Sequence, residues 1–129
     1  MPQEYQYILI DDSEFDLFLN KEFLTLAGVS EDIISFDSAA NALQFIIKES
    51  ENLKPTVILL DIHMPVMDGF EFLEKFDLFP DHIKKKLRIF MVSSTLDIRD
   101  IQNAKDNKNV VDILPKPLNT ATLKTKLGL

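Results

Sequence analysis

Thr56-Val57-Ile58-Leu59-Leu60-Asp61-Ile62-His63-Met64-Pro65-Val66-Met67-Asp68-Gly69 is the stretch on which the reading of the whole chain turns. Its first part is a short run of aliphatic and β-branched residues without period-two alternation. Such a run reads as a strand buried on both faces, the kind found inside parallel sheets. The run ends in a carboxylate, with a proline-bearing loop behind it, so Asp61 is offered at the rim of a sheet. Upstream, Tyr7-Ile8-Leu9-Ile10 runs into Asp11-Asp12 in the same way. Two buried-strand patterns that both end in acid predict three carboxylates converging in space.

Outward from these two runs, apolar stretches alternate with helical periods. After the first strand, Phe15, Phe18, Leu19, Phe23 and Leu26 recur at three-to-four spacing, and Gly28 supplies a stop. Ile33 to Phe36 reads as the second strand. Ser38 is a plausible N-cap for a helix with Ala39, Ala42, Leu43, Ile46 and Ile47 on one face. Phe70, Leu73 and Phe76 mark the helix after the third strand, Val57 to Leu60, and Leu87 to Val92 reads as the fourth strand. A weaker helix around Ile98, Ile101 and Ala104, a fifth strand from Val110 to Leu114, and a short helix with Leu123 and Leu127 complete the chain. The expected architecture is α/β, a doubly wound (βα)5 parallel sheet in the order 2-1-3-4-5 that uses the whole chain, 1–129, as one domain.

Composition narrows the function classes. The 129 residues, 46% hydrophobic and 27% charged, are those of an ordinary globular domain. There is no cysteine, hence no disulfide framework or thiolate site. No apolar run approaches the roughly 20 residues that span a bilayer, and Met1-Pro2-Gln3-Glu4 does not resemble a signal peptide. A cytoplasmic protein without a membrane partner is expected. The net charge of −7 argues against direct nucleic-acid binding. The one basic run, Lys84-Lys85-Lys86, reads as a solvated helix end or loop.

In an open α/β sheet, ligands bind beyond the carboxyl ends of the strands, where the strand order reverses. Asp11, Asp12 and Asp61 arrive there from the first and third strands. The fourth strand ends at Ser93-Ser94-Thr95 and the fifth at Lys116-Pro117. Each has a bland alternative, such as Asp12, Ser94 or Thr95 capping a helix, but their joint arrival at one rim points to a site. Two like charges about 4 Å apart cost on the order of 4 kcal/mol at an effective dielectric near 20. Three clustered carboxylates must therefore bind a cation or take up protons. All-oxygen ligation suits a hard ion, magnesium before calcium. With that ion, Lys116 and a hydroxyl present, the pocket becomes attractive to a phosphate.

These residues resemble the receiver domain of two-component response regulators over nearly the whole chain. The marks are the acidic pair Asp11-Asp12, the loop Asp61-x-x-Met64-Pro65-x-Met67-Asp68-Gly69, Ser93 after the fourth strand and Lys116-Pro117 after the fifth. The resemblance implies a flavodoxin-like receiver fold and Asp61 as phosphoacceptor from a histidine kinase or histidine-phosphotransfer protein. It implies that Asp12 and Asp61 ligate magnesium directly, that Asp11 acts mainly through water, and that the backbone carbonyl of His63 adds an oxygen. Ser93 is implied to bond the phosphoryl group once the site is loaded, Lys116 to pair with it, and Pro117 to follow a cis bond. Enzymatic activity beyond self-phosphorylation and autodephosphorylation is not implied. The His63 and Thr95 side chains are expected to flank the site and to tune hydrolysis.

One departure stands out. Ile113 occupies the position where the family's switch aromatic usually stands, and Pro115 removes a backbone donor from the fifth strand. The loop from Ser94 to Asp97 and the polar fourth helix are therefore expected to carry more of the switch. The signal is expected to leave through an unidentified protein target or a phosphorelay. A kinase or phosphotransfer helix is expected near the first helix, where Phe15 and Leu17-Phe18 lie, although core packing is the favoured role for Phe15 and Phe18. Three rivals remain. A flavodoxin-like electron carrier would be repelled by Asp11-Asp12. A metal-dependent phosphatase using Asp11 would want a second acid where Ser13 stands. The third is a receiver-like interaction module without phosphorylation.

Overall fold

In the computed structural model, which describes residues 4–95 and 97–129, the third strand β3 (Thr56–Asp61) is buried along its whole length. It lies at the centre of a five-stranded parallel sheet in the order β2-β1-β3-β4-β5. The other strands are β1 (Gln6–Ile10), β2 (Ile33–Phe36), β4 (Leu87–Ser93) and β5 (Val110–Pro115). Six α-helices among the described residues connect and follow them: α1 (Glu14–Leu26), α2 (Ala39–Lys48), α3 (Gly69–Phe76), α4 (Asp81–Lys84), α5 (Ile98–Asp106) and α6 (Thr120–Leu127). The doubly wound architecture and strand order expected from the sequence are those observed.

Alternation along each strand divides the core into two layers, because successive side chains point to opposite faces. Ile8, Ile10, Ile58, Leu60, Ile89 and Met91 face α2 to α5, meeting Ala42, Leu43, Ile46, Phe72, Phe76, Ile83 and Ala104. Tyr7, Leu9, Val57, Leu59, Phe90 and Val92 face the other way, onto Leu24 of α1 and Leu123 and Leu127 of α6. A register shift between Ile89 and Phe90 leaves Val111 outside the pairing of β5, and its side chain is exposed.

The first helix departs from the sequence expectation. Phe15, Phe18 and Leu26 are exposed, at 68%, 60% and 81%, and the buried residues of α1 are Asn20 and Leu24. Core packing of Phe15 and Phe18 is thus overturned; Leu17 and Phe23 supply the half-buried contacts instead. Two helical stripes one residue apart compete on this segment, and the sheet selects the one running through Leu17, Asn20 and Leu24. Ile47, expected on the apolar face of the second helix, is also exposed, and so is Ile98. The one-turn helix α4 was not foreseen, since four residues are too few to show a period. Lys84 ends α4, half-buried and bonded to Asp77, whereas Lys85 is exposed. Gly28 does end α1: it adopts φ 67°, and Val29 N donates to Leu24 O at 3.1 Å, closing the last turn.

Among the described residues no helix is long and apolar enough to cross a membrane.

Candidate functional site

Strand register assembles the site. Ile10 pairs with Leu60, so the next residues along the two strands, Asp11 and Asp61, leave the sheet side by side. Asp12 follows on the rim. One oxygen from each of Asp11, Asp12 and Asp61 can be chosen so that all lie within 4.8 Å of one another. On the far side, Ser93 pairs with Pro115 and accepts the Lys116 N–H on its carbonyl at 2.9 Å. That contact delivers the Lys116 side chain across the end of β4 and into the acids.

Lys116 Nζ donates to Asp11 Oδ2 at 2.6 Å and to Asp16 Oδ2 at 2.9 Å, and lies 3.3 Å from Asp61 Oδ1. Asp11 and Asp61 are 2% and 5% exposed, whereas Asp12 is open to solvent. Burial pushes the Asp61 carboxyl up from 3.8 to about 6; Asp11 adds to the shift and Lys116 opposes it. Burial works against the Lys116 ammonium too, but the hydrogen bonds to Asp11 and Asp16 outweigh it and hold its pKa above the ordinary lysine range. The corner contains more negative charge than one ammonium can neutralise. A donor set of carboxylates, with no sulfur or imidazole nitrogen among them, fits a hard divalent cation.

The other expected residues are placed as follows. Ser93 is buried, and its hydroxyl donates to Thr95 O at 2.8 Å and accepts from Thr95 N at 3.1 Å. It therefore bonds its own loop and not Asp61. Ser94 is exposed and, with Pro117, Lys116, Asp16 and Leu19, lines a groove of about 270 Å³ beside the acids. The Lys116–Pro117 peptide bond is cis. Ile113 is half-buried and packs against the α2–α5 layer of the core. The His63 ring reaches away from the acids: Nε2 comes within 3.0 Å of Asp100 Oδ2, in the first turn of α5, without hydrogen-bond alignment. Helix capping falls to Ser13, which accepts from Asp16 N, and to Asp97, which accepts from Asp100 N, so Asp12, Ser94 and Thr95 are free of that role.

Two contributors escaped the sequence reading. Asp16 carried one usable signal: it lies three residues into a helix starting just after Asp11-Asp12, so its first turn must share their rim. Asp100 carried none. A cleft of about 590 Å³ lies at the other end of the strands, around Tyr5, Gln6 and Lys54. Its Asp32 is already paired with Lys54 at 3.0 Å, and the converging carboxylates are elsewhere.

Gly69 holds the loop against the site. Its N–H donates to Ile62 O at 2.8 Å, and a β-carbon there would lie 2.8 Å from Asp61 O and 2.9 Å from the Met91 methyl. Gly69→Ala is therefore expected to push the backbone of Asp61 outward and to cost at least 1–3 kcal/mol, roughly the scale of core overpacking. Denaturant unfolding of the variant checks it, and parental stability would contradict the close approach.

A model of the response regulator receiver domain family matches residues 7–128. The fold is shared with the crystal structure of a response regulator receiver protein from Dyadobacter fermentans, at 37% identity and a TM-score of 0.90, covering 95% of this chain and 94% of that one. A two-component response regulator from Cytophaga hutchinsonii superposes equally well, with a TM-score of 0.90 at 28% identity, covering 98% and 96% of the two chains. An uncharacterised response regulatory protein from Vibrio cholerae is 32% identical over 116 residues, which are 90% of this chain and 44% of that protein. The chain thus spans less than half the length of that relative.

Proposed function

The chain belongs to the response regulator receiver domain family, and from that premise we propose that Asp61 accepts a phosphoryl group from a phosphohistidine. The donor is a sensor histidine kinase or a histidine-phosphotransfer protein. An Asp61 carboxylate oxygen attacks phosphorus, an O–P bond forms as the N–P bond breaks, and the electron pair stays on the departing imidazole nitrogen. Such a transfer depends on alignment and charge neutralisation more than on proton shuttling. The convergence of Asp11, Asp12 and Asp61 within 4.8 Å, beside the Lys116 ammonium, carries this reading.

Asp11, Asp12 and Asp61, with the His63 carbonyl, would hold magnesium. When bound, the ion neutralises the acids and favours an anionic donor. Lys116 pairs with the transferred group, and the Ser93 hydroxyl exchanges its bond to Thr95 for a phosphoryl oxygen. That exchange releases the loop from Ser94 onward and, with Ile113 in place of a rotating aromatic, passes the change to α5. His63, two residues after Asp61, links the acceptor loop to α5, since its Nε2 lies 3.0 Å from Asp100 Oδ2. The exposed Phe15 and Phe18 on α1 give the donor protein an apolar surface beside the rim.

In this reading residues 1–129 form one receiver domain, act in the cytoplasm and signal by a phosphorylation-dependent protein contact or by passing the group on. Turnover is limited to the domain's own phosphorylation and dephosphorylation. The test is intact-mass spectrometry after incubation with magnesium and acetyl phosphate. The parent is expected to gain one phosphoryl group and Asp61→Asn none; equal gain by both would defeat the assignment.

A further inference from the structure

We propose that Asp16 is a positioning residue for Lys116, a role that rests on the phosphoacceptor reading of Asp61. A lysine ammonium has three donors. Here Asp11 and Asp16 each take one, and Asp61 lies at ion-pair distance. Asp11 and Asp61 belong to the acid cluster that could hold a cation, and Asp16 does not. Asp16 is thus the carboxylate committed to the ammonium alone. When Asp61 carries a phosphoryl group and Asp11 serves a cation, Asp16 is the partner that still holds Lys116.

The contact is built into a closed ring. Ser13 N donates to Asp11 Oδ1 at 2.9 Å, and Asp16 N donates to Ser13 Oγ at 3.2 Å. Lys116 Nζ then bonds both Asp16 Oδ2 and Asp11 Oδ2, joining the start of α1 to the end of β5. The Lys116 side chain is 13% exposed and that of Asp16 33%. A lysine on its flexible four-carbon stem positions a phosphate poorly unless something fixes it. An acid on a neighbouring helix does this for the phosphate-binding lysine of protein kinases. The competing account is purely structural: Asp16, like Glu14, is an acid in the first turn of α1 and favours the helix N-terminus. Glu14→Gln removes the same charge from that turn without touching Lys116.

The experiment follows phosphoryl uptake by intact mass, with magnesium, over a range of acetyl phosphate concentrations. Asp16→Asn is expected to lower the maximal rate about tenfold, the size of one charge-assisted hydrogen bond. Its half-saturating donor concentration stays the same or falls, because the pocket has lost a negative charge. Asp16→Glu recovers most of the rate, and Glu14→Gln keeps the parental rate. In metal-free protein, a double-mutant cycle of Asp16→Asn with Lys116→Met shows non-additive stabilities. A parental maximal rate in Asp16→Asn, an equal loss in Glu14→Gln, or an additive cycle would overturn the proposal while leaving Asp61 as acceptor. A parent that takes up no phosphoryl group overturns both.

Discussion

Asp61→Asn is expected to yield a protein more stable than its parent at pH 7 without divalent cations, by up to about 3 kcal/mol. The reason lies in the direction of the Asp61 shift, from 3.8 to about 6, caused first by burial and then by Asp11. The folded state binds this proton more tightly than the unfolded chain does. Below about pH 4 the group is protonated in both states and contributes nothing. As the pH rises from 4 to 6 the folded protein must ionise a carboxylate it holds poorly, and stability falls; above that window the cost is complete. Asparagine removes the charge at nearly constant shape. The gain should therefore shrink as the pH falls and be gone near pH 4, which denaturant unfolding in a chelator can follow. Adding magnesium should reverse the order, because the parent gains stability by binding and the variant, lacking one acid, gains less. A variant less stable than the parent at pH 7 in chelator would show that the corner is not overcharged.

Lys116→Met should have the opposite and larger effect. Asp11 and Asp61 are almost inaccessible, and the lysine is the cation both of them contact. Removing one partner of a buried ion pair typically costs about 3–5 kcal/mol, because an uncompensated charge remains. For a domain of this size that is a fall in Tm of about 10 °C or more. Acid should restore part of the loss, since burial raises the Asp61 pKa and its carboxyl can then be neutral. In the parent, the raised pKa of Lys116 makes its contribution complete below the ordinary 10.5 and lost only as the pH climbs through the higher folded value. Combining Lys116→Met with Asp61→Asn should cost less than the lysine change alone, as one of the stranded charges is gone. Thermal melts of the two single variants and the double variant check this, and a Lys116→Met protein as stable as its parent would contradict it.

Much of this fold could be read from residue order because its signals agree with one another. The continuous apolar run of β3 requires cover on both faces, and helical periods on either side of each strand supply it. The acids at the ends of β1 and β3 follow from the same logic, since parallel pairing of Ile10 with Leu60 aligns what comes next. The first helix was misread because its aromatic residues form a helical stripe of their own. Asn20, a polar residue, lies on the face that is actually buried, and Phe15 and Phe18 lie off it. Hydrophobicity alone ranks the wrong stripe first, and only the docking of α1 on the sheet decides between them. Asp16 and Asp100 were missed for a different reason. Each meets a partner far away in sequence, Lys116 or His63, and a lone acid in a first helical turn is ordinary. Strand ends define the rim; which helix residues lean over it depends on the helix rotation.

The proposed phosphoryl transfer requires Asp61 to become an acyl phosphate. Borohydride reduction of the magnesium- and acetyl phosphate-treated protein, followed by peptide sequencing in the mass spectrometer, reads that bond at residue resolution. The reduced side chain should appear at position 61 and disappear when magnesium is withheld. An intact aspartate at 61 in protein that has gained phosphate, or reduction at another carboxylate, would contradict it.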